Sequence, residues 1–116
     1  MNERAEIIDL GFYIADGENI SYSHNGDKLI FKYTDWNGQN ITIAFENVIG
    51  FKCQRATFEH LPGEAFDSVH IIHNSKWLQQ HIDQGETWSG KTWHHYKLNF
   101  NAAGAMEVLC SNMAKI

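Results

Sequence analysis

Two Asn-Gly pairs, Asn25-Gly26 and Asn37-Gly38, stand twelve residues apart, each flanked by alternating apolar and polar residues. Asn-Gly tolerates the positive φ of a tight type I′ turn, so each pair predicts a β-hairpin. Leu29, Phe31 and Tyr33 alternate with Lys28, Ile30, Lys32 and Thr34; Ile41, Ile43 and Phe45 alternate with Asn40, Thr42, Ala44 and Glu46. Ahead of the first turn, Ile20 and Tyr22 alternate with Asn19, Ser21 and Ser23. The span 18–46 therefore predicts a three-stranded antiparallel meander with one buried face. Val48 to Cys53 adds a further strand after a break at Glu46-Asn47.

Gln54 to Ala65 holds the only proline, in Pro62-Gly63, and has no period, which predicts a long loop. Phe66 to His73 returns to strand-like content. Asn74 or Ser75 can cap a short helix whose apolar face carries Trp77, Leu78, His81 and Ile82, and Gly85 ends it. Trp93 to Phe100 alternates again, with Tyr96, Leu98 and Phe100 on one side. Asn101-Ala-Ala-Gly104 reads as a turn, and Met106, Val108 and Cys110 as the inward face of a last strand. The expectation is an α+β fold, predominantly antiparallel β-sheet, with one short helix around residues 75–84. With 116 residues, 43% of them apolar, the chain reads as a single domain over 1–116.

Fourteen acids against nine bases give a formal net charge of −5 with histidines neutral, and the acids are scattered from Glu3 to Glu107. That balance argues against direct binding to a phosphate backbone. No apolar run nears the roughly 18 residues of a membrane span, and Met1-Asn-Glu-Arg-Ala-Glu6 lacks the basic and apolar regions of a secretion signal. Two cysteines are too few for a disulfide framework and fit a reducing compartment. The expectation is a cytoplasmic protein that contacts neither nucleic acid nor membrane.

One motif matches letter for letter. Gly85-Glu-Thr-Trp-Ser-Gly90-Lys91-Thr92 satisfies the phosphate-binding pattern G-x-x-x-x-G-K-[ST]. That loop works when a buried strand precedes it and a helix follows, so that backbone amides wrap the phosphates. Here an amphipathic helix precedes it and a strand follows. The reversed context predicts a polar loop and no nucleotide.

Seven histidines raise the question of a metal. His70 and His73 would converge on a helix but point to opposite faces of a strand, and His94-His95 fails for the same reason. Cys53 and Cys110 have no second cysteine nearby, so no metal ligand set is assigned. There is no G-x-S-x-G elbow, and both cysteines lie in strand-like segments where a small buried hydrophobe is the usual role. The sequence thus assigns no catalytic residue and no cofactor, and predicts that the chain is not an enzyme.

Tryptophans in loops remain. Trp36 occupies the approach to the second hairpin and Trp88 the loop 85–92, whereas Trp77 and Trp93 read as core. Large, rigid side chains of this kind serve as interface anchors. Acids accompany them: Asp16, Glu18, Asp27 and Asp35 around the meander ends, Asp83 and Glu86 near the second loop. Asp35, Trp36, Asp83, Glu86 and Trp88 are accordingly the expected partner-binding residues, suited to a basic protein.

The series Tyr33-Thr-Asp-Trp-Asn-Gly38, Ile41-Thr-Ile-Ala-Phe45, Val48-Ile-Gly-Phe51, with the later His95-Tyr-Lys-Leu-Asn-Phe100 and Met106-Glu-Val-Leu109, resembles small strand-rich immunity proteins. These belong to bacterial polymorphic-toxin and contact-dependent growth-inhibition systems. The resemblance implies a non-enzymatic cytoplasmic inhibitor of one cognate toxin domain, encoded by the adjacent gene and often a basic nuclease. The alternative is a small-molecule or nucleotide-binding domain or enzyme using the 85–92 loop or the clustered histidines. A toxin reading frame beside the gene favours the first, a metabolic operon the second.

Overall fold

A computed structural model describes residues 2–55, 60–100 and 104–116, with nine strands and one helix among them. The alternation read from the sequence is realised directly. In β3 (Lys28–Thr34), Leu29, Phe31 and Tyr33 are buried while Lys28 and Lys32 face solvent; β4 (Asn40–Glu46) buries Ile41, Ile43 and Phe45. With β2 (Glu18–Asn25) they form the expected meander. The remaining elements are β1 (Arg4–Ile7), β5 (Gly50–Gln54), β6 (Ser68–His73), α1 (Lys76–Asp83), β7 (His94–Phe100), β8 (Gly104–Cys110) and β9 (Asn112–Lys115).

The strands form two antiparallel sheets, ordered β1-β6-β7-β8-β5 and β2-β3-β4-β9. One apolar cluster joins them: Leu29, Phe31, Tyr33, Ile43 and Phe45 from one sheet pack with Leu98, Phe100, Met106, Val108 and Cys110 from the other. The Phe100 ring lies 5.5 Å from Phe31 and 5.8 Å from Tyr33, centroid to centroid. The fold is thus α+β and mostly antiparallel β. Among the described residues no helix is long and apolar enough to cross a membrane.

Both hairpins form, but neither uses the expected type I′ turn. Asn25 pairs with Lys28, so the two loop residues are Gly26 and Asp27, and only Gly26 has positive φ (63°). A glycine in the first loop position suits the II′ geometry. In the second hairpin Asp35 N donates to Gln39 O, leaving a three-residue loop, Trp36-Asn37-Gly38, with Gly38 at φ 78°. Asp35 Oδ1 accepts from Asn37 N and Gln39 N, and these bonds favour the longer loop.

Other expectations shift. The Val48–Cys53 strand begins at Gly50 and joins the five-stranded sheet against β8, not the meander. Phe66 and Asp67 form a turn ahead of β6. Ser75, not Asn74, caps α1, accepting from Leu78 N. The strand carrying Met106, Val108 and Cys110 inward is followed by β9, and neither β9 nor β1 was legible as a strand. Trp77 and Trp93 are half-buried and stand outside the core cluster, and Cys53 is exposed while Cys110 is buried. Parts of the expected 54–65 loop and 101–104 turn, residues 56–59 and 101–103, lie outside the described residues.

Phe31 touches both sheets' aromatics at 1% exposure. Phe31→Ala is expected to cost about 3–5 kcal/mol, seen in urea as a lowered midpoint with an unchanged slope. A loss below about 1 kcal/mol would show that this ring does not tie the sheets together.

Candidate functional site

Alternation puts Tyr96, Leu98 and Phe100 of β7 in the core, and so puts His95, Lys97 and Asn99 on the outer face of the five-stranded sheet. That outer face is covered as well, by α1 and the 60–65 segment. Lys97 Nζ lies 2.6 Å from Glu64 Oε1, with side-chain exposures of 6% and 0%. Glu64 also accepts from Asn99 Nδ2 (2.8 Å) and, through Oε2, from Leu61 N (2.8 Å). Burial alone would raise the Glu64 carboxyl; the Lys97 and Asn99 contacts and the Leu61 amide outweigh it and hold the group below the usual carboxylate range.

Beside this pair runs a second chain of polar contacts. Ser75 Oγ stands 2.7 Å from His95 Nδ1, and His95 Nε2 stands 2.8 Å from Glu107 Oε1. Here too burial would raise the Glu107 carboxyl, and the His95 hydrogen bond, the His95 charge, Lys52 and Lys97 together lower it. Lys52 Nζ lies 3.7 Å from Glu107 Oε2 and 4.5 Å above the Trp77 ring. Trp77, Lys52, Glu107 and Gln80 line a recess of about 520 Å³ against the helix.

Serine, histidine and glutamate in a row invite a hydrolytic reading, but the geometry assigns them to anchoring. Ser75 Oγ accepts from Leu78 N (3.0 Å) as the helix cap, and Ser75 is 8% exposed. Lys76 N, a first-turn amide that would stabilise an oxyanion, donates instead to Glu3 Oε2 (3.1 Å). His95 meets Ser75 through Nδ1 and Glu107 through Nε2, and so ties α1 to β7 and β8. Histidine spacing behaves as expected for strands: His70 is fully buried, while His73 faces Glu6 Oε1 at 2.8 Å. Among the described residues no three of His, Cys, Asp and Glu are grouped to hold a metal ion. Loop 85–92 follows α1 and precedes β7, the reverse of a phosphate-binding loop.

The five expected partner-binding residues fall into two sets. Asp35 and Trp36 sit at the β3–β4 end, where the Asp35 bonds pin the hairpin and Trp36 is 65% exposed at its tip. Glu18 pairs with Thr34 beside them, and Tyr33 Oη donates to Tyr13 O (2.6 Å), which brings exposed Tyr13 and Asp16 to the same end. No lysine or arginine lies between Arg4 and Lys28 or between Lys32 and Lys52, the segments that carry the start of β2 and the second hairpin, while Arg55 follows β5 beside Gly104. Tyr13 escaped sequence reasoning, since nothing local marks the loop 8–17 as packing here.

Asp83, Glu86 and Trp88 lie at the other end of β7, about 20 Å away by strand length. They are engaged within the chain. Asp83 accepts from Gln79 Nε2 (2.8 Å), and Glu86 Oε2 lies 2.6 Å from His81 Nδ1, an ion-pair distance without hydrogen-bond alignment. Trp88 packs edge-on against Trp93 with centroids 4.8 Å apart.

No protein-family model matches the chain, and no curated protein matches it. Among solved structures, the crystal structure of an uncharacterized protein from Neisseria gonorrhoeae is similar over 99% of this chain and 97% of that one, at 12% identity and a TM-score of 0.48.

His70 generates a pH prediction. Its Nδ1 donates to Lys97 O (3.2 Å) and its Nε2 accepts from Ala65 N (3.0 Å), so a second proton would break the Ala65 bond. Burial pushes the imidazole below its ordinary 6.5. The unfolded chain therefore takes up this proton first: the stability is present in full above the ordinary histidine value and is lost as pH falls below it. The melting temperature should drop between about pH 7 and pH 5, with the His70 ring still neutral by NMR where free histidine is half-protonated. A ring that titrates at or above the ordinary value would contradict this.

Proposed function

We propose that this chain is a cytoplasmic immunity protein that binds and neutralises a cognate bacterial toxin domain encoded by the adjacent gene. One observation carries the reading: Trp36 stands out on a hairpin pinned by Asp35, beside Asp16, Glu18 and Tyr13, on loops that themselves hold no lysine or arginine. An exposed aromatic on a rigid turn loses little entropy on docking, and the acids around it steer a basic partner such as a nuclease. In this reading the chain needs no cofactor, performs no chemistry, and meets neither nucleic acid nor membrane itself.

A second reading, small-molecule binding in the recess under α1, draws support from Trp77 and Glu107 around the Lys52 ammonium. Lys52, itself exposed, already pairs with Glu107 and lies over the Trp77 ring at that recess, which favours the first reading. Loop 85–92 lends nothing to a nucleotide, given its flanking elements.

Stopped-flow kinetics with the neighbouring toxin domain test the proposal. Trp36→Ala should raise the dissociation rate about tenfold, the effect of a 2 kcal/mol anchor. Asp16→Lys with Glu18→Lys should slow association, most at low salt; Asp35 is left intact because its carboxylate holds the hairpin. If Trp88→Ala carries the loss and Trp36→Ala does not, the wrong end has been chosen. If the wild-type chain does not bind that domain, the immunity reading fails.

A further inference from the structure

The outer edge of a sheet presents unpaired N–H and C=O groups, and most folds blunt such edges. Three of the four edges here are short or guarded. β1 spans four residues with Arg4 and Glu6, and its Ala5 N donates to Pro62 O (2.8 Å). β9 spans four and ends at Lys115, and β5 spans five with Lys52 at its centre. β2 differs. It runs eight residues with no lysine, arginine or proline, exposed along nearly its whole length, and among the described elements it pairs with β3 alone.

A register shift between Glu18 and Ser21 leaves a regular ladder over residues 21–25. Because Asn25 and Lys28 close that ladder, the N–H and C=O groups of Tyr22 and His24 face away from β3. Beneath this edge the two sheets leave a groove of about 270 Å³, lined by Ile20, Tyr22, Phe31, Cys53, Phe100 and Met106. The edge also runs into the acidic end, since β2 begins at Glu18, and Thr34, its partner across the ladder, precedes Asp35.

We propose that an extended segment of the basic partner adds to β2 as a further strand of the four-stranded sheet. It would place an apolar side chain in the groove and basic side chains against Asp16, Glu18 and Asp35. The inference rests on the immunity reading and names its docking element. Main-chain pairing supplies affinity in such additions, while the pocket and the charges supply selectivity.

The test uses the complex of this chain with a catalytically inactive form of the neighbouring toxin domain. By NMR-detected hydrogen exchange, the amides of Tyr22 and His24 should exchange at least about tenfold more slowly in the complex. Cys53, the exposed thiol at the groove, should be shielded from N-ethylmaleimide, with buried Cys110 unreactive throughout as the internal control. His24→Pro removes an outward N–H and should raise Kd at least about tenfold. Cys53→Trp fills the groove without touching the ladder and should do the same if the proline variant fails to fold. Protection confined to α1 and Trp88 overturns this inference and leaves the immunity reading standing. Concentration-dependent protection of the same amides in the isolated chain assigns the edge to a second copy and overturns it also. Absence of any complex removes the immunity reading and this inference together.

Discussion

A single residue, Ser111, separates β8 from β9, so the chain passes from the five-stranded sheet to the four-stranded one in one step. The crossing from β4 to β5 lies against it. Ser111 N donates to Glu46 O (3.1 Å), Asn47 Nδ2 to Ser111 Oγ (2.6 Å), and Ile49 N to Leu109 O (2.9 Å). These bonds close one end of the sandwich and fix which inner faces meet, so that Phe45, Met113, Val108 and Cys110 share one core. The opposite end has, among the described residues, only the longer crossing from β1 to β2 through residues 8–17. It carries the Trp36 hairpin and the start of β2, free to present side chains outward. Loops held in place by a rigid scaffold are a usual arrangement for recognition.

The second constraint is that β7 is buried on both faces. Its apolar face meets the other sheet, and its polar face lies under α1 and the 60–65 segment. Burying Lys97 and Glu64 is costly unless they are paired, and Asn99 and Leu61 add two hydrogen bonds to the Glu64 carboxylate. The Ser75–His95–Glu107 chain does the same for the start of the helix. Ser75, His95 and Glu107 thereby form the joint between α1 and the sheet.

Much of this fold was legible. Period-two alternation in 28–34, 40–46, 93–100 and 106–110 marks the core residues, and two glycines place both hairpins. The turn types were not legible, because the Asp35 side chain and the strand register decide them rather than the Asn-Gly pairs. β1 and β9 were missed since four residues carry too little pattern, and their pairing depends on distant partners. The covered polar face of β7 was invisible for a related reason: Lys97 pairs with Glu64 from a segment without any period. Of the expected binding residues, Asp35 and Trp36 gain Glu18, Asp16 and Tyr13 as neighbours only through the meander and the Tyr33–Tyr13 bond.

The proposed immunity role places toxin neutralisation at the acidic, aromatic end. Its most direct measurement is survival of cells expressing the neighbouring toxin domain with this chain, against cells carrying the Trp36→Ala, Asp16→Lys, Glu18→Lys triple variant at equal abundance. Growth is expected with the wild-type chain and arrest with the variant. Growth arrest with both, or equal protection by both, would contradict it.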